Sequence, residues 1–224
     1  MELEELRVAV VGHSYVRRLK SFIEADDDVL GRVNMAFDLY RENVAVKFFF
    51  KSGCDIEQFH SHLKQSVLAY HPKIVIVILG GNDLDDDETD PVGVAADIVQ
   101  LAEEFQSNNN FVIISQILDR PQPRIPADIF KIKARICNSK IVDKIQHSNK
   151  IIFWTHIRLN NCNTHMHRDG VHLNNKGNFL YYKSLKRALS HVLSHVANGT
   201  GCTCPAEYPG PRQRARAGRR HRRR

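Results

Sequence analysis

Five short runs of apolar, mostly β-branched residues punctuate the chain: Arg7 to Val11, Val44 to Phe50, Ile74 to Leu79, Phe111 to Gln116 and Ile151 to Trp154. Runs such as IVIVIL and FVIIS do not alternate with polar residues, the pattern of strands covered on both faces. Longer amphipathic stretches lie between them. Ile56, Phe59, Leu63, Val67 and Leu68 recur at helical spacing, as do Val94, Ile98, Leu101 and Phe105. Val16, Leu19 and Ile23 mark a helix after the first run. Phe179, Tyr182, Leu185, Leu189, Val192 and Val196 mark a last one, which Asn174 stands in place to cap. Strands alternating with helices predict the α/β class, as a three-layer α/β/α sandwich around a five-stranded parallel sheet.

The last stripe ends near Asn198, and the NGTGCTCPAEYPGPRQ that follows has little to bury. The expected organisation is one folded domain over residues 1–198, then a flexible Gly/Pro linker and tail over 199–224. The longest apolar run falls far short of the roughly 20 residues a transmembrane helix needs. The acidic start MELEELRVAV does not read as a secretory leader, so a cytoplasmic or nuclear location is expected.

Charge changes the picture in one place. The 224-residue chain is 42% hydrophobic and 25% charged, ordinary values for a globular protein that exclude disordered, collagen-like and disulfide-scaffold classes. Its formal net charge is +7, but Arg212, Arg214, Arg216, Arg219, Arg220, Arg222, Arg223 and Arg224 all fall in the last thirteen residues, where there are no acids. Setting those eight aside leaves 24 basic against 25 acidic residues, so the domain itself is nearly neutral. Binding of nucleic acid or another polyanion is therefore expected of the tail alone, through phosphate contacts of its arginines; a receptor-read import signal is the competing reading of the same run. Five cysteines, Cys54, Cys137, Cys162, Cys202 and Cys204, are odd in number and form no CxxC pair, which fits reduced thiols.

Candidate chemistry gathers where predicted strands end. After the first comes Gly12-His13-Ser14, after the second Lys51-Ser52-Gly53, and after the third Gly80-Gly81-Asn82-Asp83. A serine at a strand-to-helix turn projects its hydroxyl above the sheet, beside the unpaired N–H groups of the helix start. Ser14 is equally an ordinary N-cap, and Gly53 a turn glycine. Before the last helix, Asp169-Gly170-Val171-His172 sets a carboxylate and an imidazole three residues apart, a spacing at which they can meet across one turn. A histidine held by a carboxylate can take a proton from a serine. The stretch Asp83 to Asp90 holds six acids in eight positions, which reads as a solvated loop or as a rim that repels anionic substrates.

From Leu6 to the final helix the chain resembles the SGNH, or GDSL-like, hydrolases, which are serine esterases and lipases. Four blocks of that family contribute serine, glycine, asparagine and histidine in this chain order, and here they look like Ser14, Gly53, Asn82 and His172. GGND at 80–83 and DGVHLNNKG at 169–177 carry the likeness most strongly. The resemblance implies a flavodoxin-like fold and cleavage of an acyl or acetyl ester of a small-molecule or lipid-like substrate, with no metal or organic cofactor. It implies a triad of Ser14, His172 and Asp169, and an oxyanion hole from the backbone N–H groups of Ser14 and Gly53 with the amide of Asn82. The chain departs from the family in having His13 where an acid usually precedes the serine, which puts the support of that loop in question.

Other readings are weaker. GHSYVRRL lacks the second and third glycines of a dinucleotide site. Cys162, His165 and His167, or His60 and His62, match no strong zinc spacing. A calcium loop would need glycine where Glu88 stands. A different class of function remains, a catalytically weak or inactive SGNH-like scaffold whose arginine tail binds nucleic acid; SGNH-like domains also resemble modules encoded by some retrotransposons, which would join the two readings.

Overall fold

The structure, a computed structural model, describes residues 5–25, 44–107, 110–159 and 164–198. Along the chain β1 (Leu6–Gly12) is followed by α1 (Ser14–Glu24), β2 (Val44–Phe50), α2 (Ile56–His62), α3 (Lys64–Ala69), β3 (Ile74–Ile78), α4 (Pro91–Gln106), β4 (Phe111–Ser115), α5 (Ala127–Ile145), β5 (Ile151–Trp154) and α6 (Asn175–Asn198). All strand pairs are parallel, in the order β2-β1-β3-β4-β5. That is the flavodoxin-like order. Leaving β1, the chain goes first to one side of it and then returns on the other. The loops after β1 and β3 therefore part at the carboxyl edge, where open sheets of this kind form their crevice.

The strands in the middle of the sheet, β1, β3 and β4, are apolar over most of their length because they serve two cores. In β3, Ile74, Ile76 and Ile78 point toward α1 and α6, while Val75 and Val77 point toward α2 to α5. β4 divides in the same way, with Phe111 and Ile113 on the first side and Val112 and Ile114 on the second. Burying each such side chain contributes about 1.5–3 kcal/mol, and β-branched residues suit the pleat. Of the stripe expected after Asn174, Tyr182, Leu185, Leu189 and Val192 are buried in α6 while Phe179 and Val196 are half-buried, and Asn174 Oδ1 accepts from Gly177 N at 2.9 Å.

Two elements differ from the sequence expectation. The stripe from Ile56 to Leu68 forms two helices rather than one. Leu63, with φ −119°, ends α2 and begins α3, and the bonds Leu63 N to Phe59 O and Val67 N to Leu63 O bridge the kink. The alternation of strands and helices calls for a helix between β4 and β5, but no apolar stripe in the sequence marks α5. Its buried stripe of Phe130, Ala134, Cys137, Ile141 and Ile145 is masked by exposed Ile129, Ile132 and Ile136 on the opposite face, which blur the period.

Cys54 and Cys137 are free and buried, and burial pushes their thiols up to about 11 and about 12. Among the described residues no helix is long and apolar enough to cross a membrane. Cys162, Cys202, Cys204 and residues 199–224, with the expected linker and arginine tail, lie outside the described residues.

Candidate active site

The site begins where β1 must come close to β3. A Cβ at Gly12 would stand 2.1 Å from the Ile78 carbonyl oxygen, and φ there is +155°, so only glycine fits. His13 follows as the N-cap of α1 and Ser14 is its first helical residue. The expectation of Ser14 as a cap is thus replaced: His13 Nδ1 accepts from Tyr15 N at 3.3 Å, which frees the Ser14 hydroxyl. His13 is 3% exposed, and burial, with Arg120 and His172 nearby, lowers its pKa to about 3. A neutral imidazole can accept the helix N–H that a carboxylate would take, so His13 supports the loop from below.

Gly53 takes φ +78° in the turn after β2, and its Cβ position is open. The left-handed backbone, not space, requires glycine there. After β3, Asn82 Nδ2 donates to the Cys54 carbonyl at 2.9 Å and Asp83 Oδ1 accepts from Ile56 N at 2.9 Å, fastening the second and third loops together.

The last loop is braced by its own bonds. Met166 and Leu173 form an antiparallel bridge, His167 N donates to His172 O at 2.6 Å, and Asp169 Oδ1 accepts from Val171 N and His172 N at 3.0 and 2.9 Å. Asp169 and His172 therefore meet within a turn ahead of α6 rather than across a helical turn. His172 Nδ1 lies 2.9 Å from Asp169 Oδ2, and His172 Nε2 lies 2.9 Å from Ser14 Oγ. A carboxylate only accepts, so Nδ1 carries the proton and Nε2 of the neutral ring receives the Ser14 O–H. Tyr15 O–H, donating to Val171 O at 2.6 Å, ties this loop to α1. Partial burial lowers the His172 pKa, a shift that the Asp169 hydrogen bond partly offsets. Burial alone would raise the Asp169 carboxyl, but donation from His172 N, Val171 N and the His172 ring holds it below the usual carboxylate range.

Ser14, Gly53, Asn82, Asp169 and His172 line one cleft of about 980 Å³ at the carboxyl edge of the sheet. Its walls are polar. Asp55, Glu57, Asp83, Asp85, Asp86 and Asp97 face it alongside Arg17, Arg120 and Arg124.

The acidic stretch is more than a solvated loop. Asp90 caps α4 by accepting from Val92 N and Gly93 N, both at 3.0 Å. Asp85 is buried in an ion pair with Arg120 at 3.0 Å, and burial raises the Asp83 carboxyl. These acids occupy backbone N–H groups and a guanidinium that would otherwise be stranded. Arg120 escaped sequence reasoning: it lies on the loop after β4 and donates to Asn82 Oδ1 at 2.9 Å. No local pattern marks a contact across 38 residues. Among the described residues no group of three His, Cys, Asp or Glu side chains could hold a metal ion.

No protein-family model matches the chain, and no curated protein matches it in sequence. Solved structures do match. A GDSL-like lipase from Bacteroides thetaiotaomicron is 20% identical with a TM-score of 0.62, over 83% of this chain and 88% of its own. A lipase/acylhydrolase from Enterococcus faecalis is 17% identical with a TM-score of 0.61, over 82% and 95%. An acetylxylan esterase from Geobacillus stearothermophilus is 14% identical with a TM-score of 0.60, over 84% and 95%. The chain has the SGNH, or GDSL-like, hydrolase fold.

Proposed function

We propose that this protein is a serine hydrolase that cleaves a carboxylic ester with a short acyl group. The observation that carries the reading is the line from Ser14 Oγ through His172 to Asp169, with 2.9 Å at each step, at the mouth of the cleft. Ser14 attacks the ester carbonyl as His172 Nε2 takes its proton, and Asp169 holds the ring and stabilises the imidazolium. The negative oxygen of the tetrahedral intermediate is received by Ser14 N–H, Gly53 N–H and an N–H of Asn82. Collapse breaks the bond to the alcohol, which leaves with the proton from His172. Water then attacks the acyl-serine by the same proton route and releases the acid.

Specificity follows from the walls. Few apolar side chains line the cleft, Ile56, Val94, Pro123 and Val171 among them, so a long acyl chain finds little to bury against. The excess of carboxylates disfavours anionic esters and suits a neutral or cationic polar alcohol. The acetylxylan esterase among the structural neighbours agrees with a small acyl group. The test pairs labelling by a fluorophosphonate with turnover of 4-nitrophenyl acetate: Ser14 is expected to take the label and Ser14→Ala to abolish both. Full turnover by Ser14→Ala would overturn the reading.

A further inference from the structure

A carboxamide has two flips, and only its neighbours decide which side donates. Around Asn82 they decide it twice. Nδ2 donates to the Cys54 carbonyl at 2.9 Å, and Oδ1 accepts from Arg120 Nη2 at 2.9 Å. In the other flip, oxygen would oppose a carbonyl oxygen and the NH2 would oppose a guanidinium that can only donate. One orientation is therefore strongly favoured. With one Nδ2 hydrogen on Cys54, the second is left for the cleft that Asn82 lines with Ser14 and Gly53.

Arg120 can impose this only if it is itself fixed. Its Nη1 donates to Asp85 Oδ2 at 3.0 Å, with the two side chains 3% and 6% exposed. Asp85 Oδ1 in turn accepts from Arg124 N at 2.6 Å and from Ile125 N at 3.4 Å. The guanidinium carbon lies 5.3 Å from the centre of the Phe130 ring. Gly81 makes the room, since a Cβ there would stand 2.8 Å from Arg120 Nη2. A buried ion pair gains little net stability over apolar residues of like shape, because desolvation offsets most of the attraction. What this pair supplies is orientation.

We propose that Arg120 is a positioning residue for the oxyanion site: braced by Asp85, it sets the flip of the Asn82 carboxamide and keeps one of its N–H groups toward the cleft. Its charge on Oδ1 also polarises the amide, making that N–H a better donor as negative charge develops. The effect on turnover rests on the hydrolase reading above, whereas the orientation of the amide does not.

Two variants test it. Arg120→Met leaves Asp85 without its counter-ion and risks misfolding, so it is paired with Arg120→Met/Asp85→Asn, in which both charges leave together and an amide oxygen remains for the Arg124 and Ile125 N–H groups. With 4-nitrophenyl acetate, kcat is expected to fall about 10- to 100-fold with KM little changed, the scale seen when an outer partner of a site group is lost. In that background Asn82→Ala should bring the total loss only to that of Asn82→Ala alone, because Arg120 acts through Asn82. In 15N-resolved proton spectra, the Asn82 side-chain NH2 should lose its protection from solvent exchange. Additive kcat losses, or an equally protected Asn82 amide in the folded double variant, would overturn the proposal. If the unaltered protein turns over no ester and Ser14 takes no label, the hydrolase reading fails by itself, and the amide signals still decide whether Arg120 sets the flip.

Discussion

Two serine–histidine pairs stand at the same separation in this protein, 2.9 Å for Ser14 with His172 and 2.9 Å for Ser115 with His156, yet their surroundings have opposite character. Behind His172 is the Asp169 carboxylate, and in front is a cleft. Behind His156 is the Ser184 hydroxyl, at 2.8 Å from Nδ1, and Ser115 Oγ is shared with the Tyr181 hydroxyl at 2.8 Å. His156 is 1% exposed, and burial lowers its pKa to about 3. An imidazole that cannot become charged cannot act as a base near neutral pH. The inner pair is a strut joining β4 to α6, and the comparison teaches that a short O–N distance is common to both roles. A carboxylate partner, access and nearby N–H groups separate them.

The largest expected effect breaks the symmetry directly. Ser14→Ala and His172→Ala should each lower kcat on the order of 10⁴-fold or more, with effects that do not add, while leaving the unfolding midpoint in place. Ser115→Ala should do the reverse, keeping turnover but costing about 1–3 kcal/mol in urea unfolding through partners left unpaired. Turnover lost in Ser115→Ala at full stability would reverse the two assignments. Next in size, Asn82→Ala should lower kcat by about 10²- to 10³-fold in folded protein; an intact kcat would make GGND a structural turn only.

Acid should separate the pairs on different readouts. The working form of His172 is neutral and its pKa lies below 6.5, so kcat/KM should rise with pH through a midpoint below 6.5 and then stay level. His13 and His156 remain neutral in the fold down to about 3, whereas in the unfolded chain they protonate near 6.5. Between those values the unfolded state binds more protons, so stability should fall as pH drops from 6.5 toward 3. Calorimetry across that range on His156→Gln should show a shallower loss. His13→Asp should change turnover far less than Ser14→Ala, His172→Ala or Asn82→Ala, since a carboxylate can accept from Tyr15 N and sits near Arg120. A large loss with folding unchanged would place His13 in the chemistry. Smallest of all, ending the chain after Asn198 should leave kcat/KM unaltered, as expected if residues 1–198 are the whole hydrolase domain; a substantial fall would show that the tail belongs to it.

What could be read from the chain divides along the same line as the two pairs. The strands were legible as short apolar runs, clearest in β3 and β4, which bury both faces; edge strand β2 is half-buried and interrupted by Lys47, yet its valines and phenylalanines still mark it. The proposed site residues were legible because each lies on a short motif, Ser14, Gly53 and Asn82 just after strands and Asp169 and His172 just ahead of the last helix. α5 was hidden by isoleucines on its exposed side. The Asp85–Arg120–Asn82 chain and the Ser115–His156 strut were hidden for another reason: partners 35 to 41 residues apart leave no local period or spacing. His13 as a helix cap also escaped, because histidine is not among the residues usually chosen there.

The loop that carries Asp169 and His172 closes on itself, through the Met166–Leu173 bridge and the bonds that Asp169 makes to its own next residues. Asp169 and His172 are three residues apart, but Ser14, which His172 faces, is 158 residues away. The dyad is thus a local module, able to take shape as soon as its short segment is made, while the contact with Ser14 waits until α6 docks beside α1. Ser14 precedes His172 by 158 residues, so a nascent chain carries Ser14 without that partner until the loop ahead of α6 has been made.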